Sequence, residues 1–207
     1  MRGRFADIAA TASGYVIGSI PVGVVIGRAI RGMDVREHGS GSMGTTNVLR
    51  LVGPTAAVAT FALDVGKGSA AVLVAKRLGA DRGGQAAAGL AAVVGHSWPA
   101  LARFRGGKGV ATAFGAIIFV SSDATVFAVA GGLSALALTR IMSVGSLSAA
   151  ASAILGAGIE EARSGERAPL AFAATAATLI ALRHSANIRR LLRGEEPRVS
   201  LRRKTAS

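Results

Sequence analysis

Cysteine is absent from the 207 residues, which excludes disulfides, thiolate catalysis and cysteine-based metal sites together. Acidic residues are scarce, 11 Asp and Glu against 24 Lys and Arg, so the chain carries a net charge of +13. No cluster of acids stands in or near an apolar run, which argues against a metal-dependent lipid phosphotransferase. Aromatics make up 4% of the chain, and histidine occurs three times. What is in excess is apolar residues, 51% of the chain with a positive mean hydropathy, gathered into long runs. That exceeds what the core of a soluble domain of this size requires, so the chain reads as a polytopic membrane protein. Its cations lie between or beyond the apolar runs. This pattern suits a membrane surface and anionic substrates, and no soluble basic domain is left over to grip nucleic acid.

Hydropathy places apolar segments near residues 6–30, 54–75, 84–102, 110–122, 124–139, 141–159 and 168–182. A helix needs about 20 residues to cross squarely, so 110–122 and 124–139 are short. They read either as one broken span or as two helices joined at Ser121-Ser122-Asp123. Topology arbitrates: if the basic segments 31–53, 103–109 and 183–194 share one face, an even number of spans separates each pair. About seven spans satisfy that and six do not, and the excess of Lys and Arg on the shared side makes it cytoplasmic, with the N-terminus outside. The expected fold is an all-α integral membrane protein of about seven transmembrane helices, some short, with cytoplasmic motif loops. Residues 1–194 form a single helical membrane domain, and 195–207 form a basic, flexible C-terminal tail held near anionic lipid. The N-terminal segment resembles a signal peptide only superficially, having a long apolar part and no cleavage site, and is read as a retained first span. Gly14 with Gly18, and Gly23 with Gly27, have the spacing that lets membrane helices approach closely, and Pro21 reads as a packing kink.

The polar constellations stand at the edges of the apolar runs. In GHSWPALARFRGGKGVAT, from Gly95 to Thr112, His96 opens the stretch and Arg103, Arg105 and Lys108 crowd its middle beside Gly106 and Gly107. Glycines let backbone N–H groups converge while lysine supplies a point charge, which is how a polypeptide holds a phosphate. A topology signal would need the charge but not Gly-Gly-Lys-Gly. In GSGSMGTTNVLR, from Gly39 to Arg50, a formal G-x-G-x-x-G occurs, yet it follows no strand, and the dinucleotide-binding reading fails. The glycines, among them Gly41, with the hydroxyls of Ser40 and Thr46, the Asn47 amide and the Arg50 guanidinium, still suit an oxyanion. Neither GGKGV nor VGKGS is a Walker A loop, since the residue after each lysine is Gly. Asp64 and Lys67, three apart within an apolar segment, would each cost about 2.5–3.5 kcal/mol unpaired at the bilayer centre. An intramembrane brace is the preferred reading for them, with a catalytic role open. In RHSANIRRLLRGEE, His184 and Asn187 share a helical face at the membrane edge ahead of Arg189, Arg190 and Arg193. His38 lacks such a partner and reads as a loop residue.

Taken in order with GSIP at 18–21 and LDVGKG at 63–68, these blocks resemble the PlsY family, the bacterial membrane glycerol-3-phosphate acyltransferases that use acyl phosphate as donor. The resemblance spans nearly the whole chain. It implies a seven-helix fold in the bacterial inner membrane and transfer of a fatty acyl group to the 1-hydroxyl of glycerol 3-phosphate, giving lysophosphatidic acid and phosphate. Functional positions carry over onto Ser40, Thr46, Asn47 and Arg50, onto His96, Gly106, Gly107 and Lys108, and onto His184 and Asn187. Of these, Ser40, Arg50, Lys108, His184 and Asn187 are expected to be catalytic, and the others, with Gly41 and Arg105, to bind substrate phosphate. Acyl phosphate is already activated, so no metal or cofactor is expected. The proton of the acceptor hydroxyl goes either to His184 or to the donor's own phosphate. Ser42 stands where the family usually has Asn, so a hydroxyl or water must make that amide's hydrogen bond. A transporter or channel for an anionic phosphorylated solute is the alternative. An acyltransferase using acyl-CoA is disfavoured because the fifth residue after His38, His96 and His184 is Met43, Leu101 and Arg189, never Asp. Oligomeric state has no signature in the sequence.

Overall fold

A computed structural model describes residues 2–199, and every regular element among them is helical. Helix α1 (Arg2–Gly18) breaks at Pro21 and resumes as α2 (Val22–Arg31). After a loop come the short α3 (Thr45–Leu51), the long α4 (Pro54–Arg77) and α5 (Arg82–Ser97). A second loop leads to α6 (Val110–Val120) and α7 (Ser122–Thr139), then α8 (Met142–Ser164), α9 (Ala168–Arg183) and α10 (Ser185–Leu192). Four stretches are long and apolar enough to cross a membrane: Phe5–Arg31, Pro54–Arg77, Ser122–Thr139 and Met142–Ser164. Val110–Val120 and Ala168–Arg183 are apolar but shorter.

The packing inverts that of a soluble protein. The interior is lined by small residues such as Ala71, Ala88, Ala92, Ala116, Ala124 and Ala157, while Phe5, Val58, Leu133, Leu138 and Leu155 point outward. Small residues let helix backbones approach, and in lipid the large apolar side chains lose nothing by facing out. Gly14 and Gly18 of α1 lie directly on the backbone of Ala88 and Ala92 of α5, as their spacing predicts. Gly23 and Gly27 of α2 do something else: they press on Met43 and Val35, so this pair seats the first polar loop rather than a second helix. Tyr15 of α1 donates to the Trp98 carbonyl (3.0 Å) and ties the first span to the second loop.

The structure corrects one boundary and decides another. The apolar segment expected over 84–102 is helical only to Ser97, because Trp98 precedes Pro99 and the residue before proline is pushed out of helical conformation. At Ser121 the chain reverses, and residues 110–139 are two helices. Lys108 before α6 and Ser143 after α7 line the same cavity, which a single span could not bring about. Ser121 caps α7 by accepting from the Ala124 N–H (3.1 Å), and its hydroxyl bonds Glu160 of α8 at the far end of the bundle. Residues 195–199 return over the start of α8, with the Val199 N–H on the Arg140 carbonyl (2.7 Å). The remainder of the segment read as a flexible tail, 200–207, lies outside the described residues.

Candidate active site

At the end of the bundle where α5, α7 and α9 finish and α4, α6 and α8 begin, the polar segments converge on a cavity of about 170 Å³. Its wall includes Ser40, Thr46, Asn47 and Arg50 from the first block, His96 and Lys108 from the second, and His184 and Asn187 from the third. Gly41, Arg105, Gly106 and Gly107 are not part of the wall; the carbonyl of Arg105 accepts from Arg36, and those of Gly106 and Gly107 accept from Arg183. Ser42, Ser143, Ser146, Arg190 and Glu196 line the cavity without having been singled out as site residues. Arg190 stood in a basic cluster whose members looked equivalent, Ser143 in no motif at all, and Glu196 in the segment read as tail.

The first loop is built around Asn47, which is buried. Its amide nitrogen donates to the carbonyls of Val35 (2.7 Å) and Ser42 (2.8 Å), and its oxygen accepts from the Ser40 N–H (3.0 Å). Asn47 therefore shapes the loop and has its polar atoms engaged there. Gly39 and Gly41 take φ of +62° and +70°, the left-handed region that glycine enters freely, and so fold the loop tightly around this amide. Arg36 fastens it to the second loop: Nε and Nη2 hold Asp34 (2.9 and 2.7 Å) while Nη1 donates to the carbonyls of Ala102 (2.7 Å) and Arg105 (3.1 Å). Hydrogen bonding and charge from Arg36 keep the Asp34 carboxyl far below the ordinary carboxylate range. Arg50 faces the cavity with no hydrogen bond or ion pair to any described residue.

The second loop is held from two sides. The Gly107 N–H donates to the His96 carbonyl (3.0 Å), and Arg183 donates from Nε to the Gly107 carbonyl (3.0 Å). The Arg183 guanidinium also lies 5.3 Å from the Trp98 ring centroid, a cation–π distance. Lys108 then reaches into the cavity, where Nζ donates to Asn187 Oδ1 (2.6 Å). Burial, with Arg190, Arg50 and Arg183 adding repulsion against the opposing pull of Glu196, lowers its pKa to about 8.

In the third block, His184 sits between α9 and α10, with Nδ1 2.8 Å from the Ile180 carbonyl. A carbonyl only accepts, so Nδ1 carries the proton and the neutral ring presents Nε2 as an acceptor. Burial, then the Lys108 charge, lowers the His184 pKa to about 4, so the ring is neutral near pH 7. Asn187 bridges Lys108 to Glu196, donating to Glu196 Oε1 (2.5 Å), which also accepts from Ser143 (2.8 Å), while Oε2 accepts from Arg190 (2.7 Å). Burial opposes the Glu196 charge, but these hydrogen bonds outweigh it and hold the carboxyl below its ordinary range. Among the described residues no three His, Cys, Asp or Glu come together as a metal site would require.

A second cavity, about 360 Å³ and almost wholly apolar, opens between α6, α7, α8 and α9. It shares Phe61, Val110, Ala111, Met142 and Ser146 with the polar one, so the two adjoin. A cationic chamber beside an apolar one suits an amphiphile with an anionic head and a hydrocarbon tail.

The family model described as glycerol-3-phosphate acyltransferase matches residues 8–194. A glycerol-3-phosphate acyltransferase of Anaeromyxobacter sp. (strain Fw109-5) is 45% identical over 196 residues, covering 91% of this chain and 94% of the relative. One of Prochlorococcus marinus (strain MIT 9313) is 43% identical over 195 residues, covering 94% and 96%. Among solved structures, PlsY (YgiH), an integral membrane glycerol 3-phosphate acyltransferase in its glycerol 3-phosphate form, superposes with a TM-score of 0.85 at 37% identity, over 94% of this chain and 96% of that one. Its lysophosphatidic acid form gives 0.83 at 36% identity, over 94% and 95%.

Proposed function

The chain belongs to the glycerol-3-phosphate acyltransferase family, and on that premise we propose that it transfers a fatty acyl group from an acyl phosphate to the 1-hydroxyl of glycerol 3-phosphate. The observation that carries this reading is the adjacency of the two cavities, one cationic and one apolar, because acyl phosphate needs both at once. The donor's tail occupies the apolar chamber and its phosphate meets Arg50 and Lys108. Glycerol 3-phosphate enters the polar chamber from the open end.

The reaction brings two phosphates together, which their mutual repulsion opposes; fixed cations and backbone N–H groups offset it and hold the reacting atoms in line. The acceptor's C1 oxygen attacks the acyl carbon, the bond from that carbon to the phosphate oxygen breaks, and inorganic phosphate leaves with the electron pair. Arg50 and Lys108 stabilise charge on the attacked group and the departing phosphate, and Ser40 and Thr46 orient them. The hydroxyl proton passes either to His184 Nε2 or to an oxygen of the donor phosphate. With a pKa of about 4, His184 is a weak base, and dianionic substrates beside it raise its affinity for the proton. Asn187 positions Lys108, and Ser42 or a water supplies the contact that an amide makes in most relatives. No cofactor is required by this chemistry.

For the whole chain we propose seven spans in the bacterial inner membrane, the N-terminus outside and all three motif loops cytoplasmic. The permeation alternative has no observation in its favour, since the relatives are transferases by name. Purified protein in lipid, given an acyl phosphate, should release inorganic phosphate only when glycerol 3-phosphate is present, and lysophosphatidic acid should accumulate in equal amount. Absence of release by folded protein that binds glycerol 3-phosphate would remove the reading.

A further inference from the structure

The deepest polar groups beneath the site take no part in the chemistry above. Asp64 and Lys67, one turn apart on α4, are 1% and 6% exposed, and their charged atoms lie 2.8 Å apart. Each also has a second partner outside the helix. Lys67 Nζ donates to the carbonyl of Ile20 (3.0 Å), which lies in the break between α1 and α2. From that break α2 runs on to seat the first polar loop through Gly23 and Gly27. Asp64 Oδ1 faces His96 Nδ1 at 3.5 Å, and that nitrogen, on a side chain 3% exposed, has no hydrogen-bond partner among the described residues, which leaves Asp64 as the acceptor it faces. The far side of the His96 ring fills the space where a Cβ on Gly107 would lie, and the next residue is Lys108.

A buried ion pair is seldom the most stable way to fill a core, and apolar residues of similar volume often do as well or better. This pair instead touches the support of each loop that lines the cavity. We propose that Asp64 and Lys67 are positioning residues that fix the spacing of the two anion-binding loops, Lys67 through the Ile20 carbonyl and α2, Asp64 through the His96 ring and Gly107. The proposal rests on the acyltransferase reading, in which two phosphates must be held at one separation for the acyl group to pass. His96 is then a strut between Asp64 and the glycine loop: Nδ1–H points to Asp64, and Nε2 lies bare against Gly107. Lys67 also neutralises Asp64, which lines the cavity and would otherwise repel an anion there.

The test removes both charges together, so that neither is left buried alone. The double variant Asp64→Asn, Lys67→Met is reconstituted in lipid beside the parent, and thermal unfolding and acceptor-dependent phosphate release are measured on both. A positioning role predicts a folded protein whose kcat falls by about 10²-fold, the cost of misplacing a reacting group by about 1 Å, with the KM for glycerol 3-phosphate changed far less. A pair that only stabilises the bundle would shift the unfolding temperature and leave the kcat of the folded fraction at the parental value, and that result overturns the proposal. If the double variant does not fold, the parent decides: ¹⁵N-histidine NMR, with His96 identified by its loss in His96→Asn, should show the Nδ1-protonated tautomer. An Nε2-protonated His96 overturns the proposal. A parent that releases no phosphate would count against the acyltransferase reading, and the tautomer would still judge the Asp64–His96 contact.

Discussion

Lys108 is a cation in a place that resists cations, and that tension gives it a pH signature. Free enzyme loses the Lys108 proton as pH rises through about 8, and with it the charge that attracts substrate phosphate. Bound phosphate favours the protonated form, so the complex keeps it to higher pH. Accordingly, kcat/KM should fall above pH about 8 while kcat, measured at saturation, holds further into the alkaline range. A kcat/KM flat to pH 10 would mean that the Lys108 charge is not what binds phosphate. Substitution tests the same assignment more bluntly. Arg50→Ala and Lys108→Ala should each lower kcat/KM by about 10²–10³-fold, the usual cost of removing one charge-stabilising donor. Arg50 has no described partner to release, so its loss should leave thermal unfolding unchanged. For His184→Ala, a fall in kcat at saturating substrates marks the ring as the base, whereas a rise in KM alone marks it as a binding group and leaves the proton to the donor phosphate.

Between single residues and the bundle, glycine serves two different ends, and substitutions should separate them. Gly68 of α4 is set against the backbone of Thr112 on α6, and Gly115 of α6 against that of Val65 on α4. Ser69 donates to the Gly115 carbonyl (2.9 Å) at the same crossing. Gly115→Ala must push two backbones apart, at about 1–3 kcal/mol, and should lower the unfolding temperature in detergent. Gly107→Ala meets the His96 ring rather than the backbone of a packed helix, and a loop can yield where a helix crossing cannot, so it should lower the unfolding temperature less than Gly115→Ala does and raise the KM for glycerol 3-phosphate by shifting the loop. The reverse pattern would mean that the loop, and not the crossing, limits stability. Much of this level could be read from the sequence, because glycine at four-residue spacing and polar blocks at the ends of apolar runs are local signals. The parts that could not be read are contacts between segments far apart in the chain. Gly23 and Gly27 have the spacing of a helix–helix pair but meet a loop that folds back under α2. Asn47 has the look of a ligand group and is engaged by its own loop. Glu196 stood in a segment of tail composition, and only the return of the chain over α8 brings it to Ser143 and Asn187.

Over the whole molecule, the apolar chamber follows from alanine in bulk. No motif announces it: Ala128, Ala149, Ala150, Ala153, Ala173 and Ala176 come from three helices, and each alone is ordinary membrane-helix composition. Together they leave unfilled the space between α7, α8 and α9 that larger side chains would have closed. From Ser146, at the mouth shared with the polar cavity, to Ala153 on the same helix is about 10 Å at 1.5 Å per residue, so Ala153 marks a depth along the donor's tail. If the tail lies there, filling that depth should shorten the chain the enzyme prefers without touching the chemistry at the mouth. Ala153→Phe should lower kcat/KM for a sixteen-carbon acyl phosphate by tenfold or more relative to an eight-carbon one, since each excluded methylene is worth about 1–3 kcal/mol. Ala153→Val should give a smaller shift in the same direction, and its milder volume change guards against reading a packing defect as selectivity. Measuring both donors on each variant, with glycerol 3-phosphate saturating, makes the ratio independent of how much protein is folded. An unchanged ratio in Ala153→Phe would place the acyl tail outside this chamber, against the lipid-facing side of the helices.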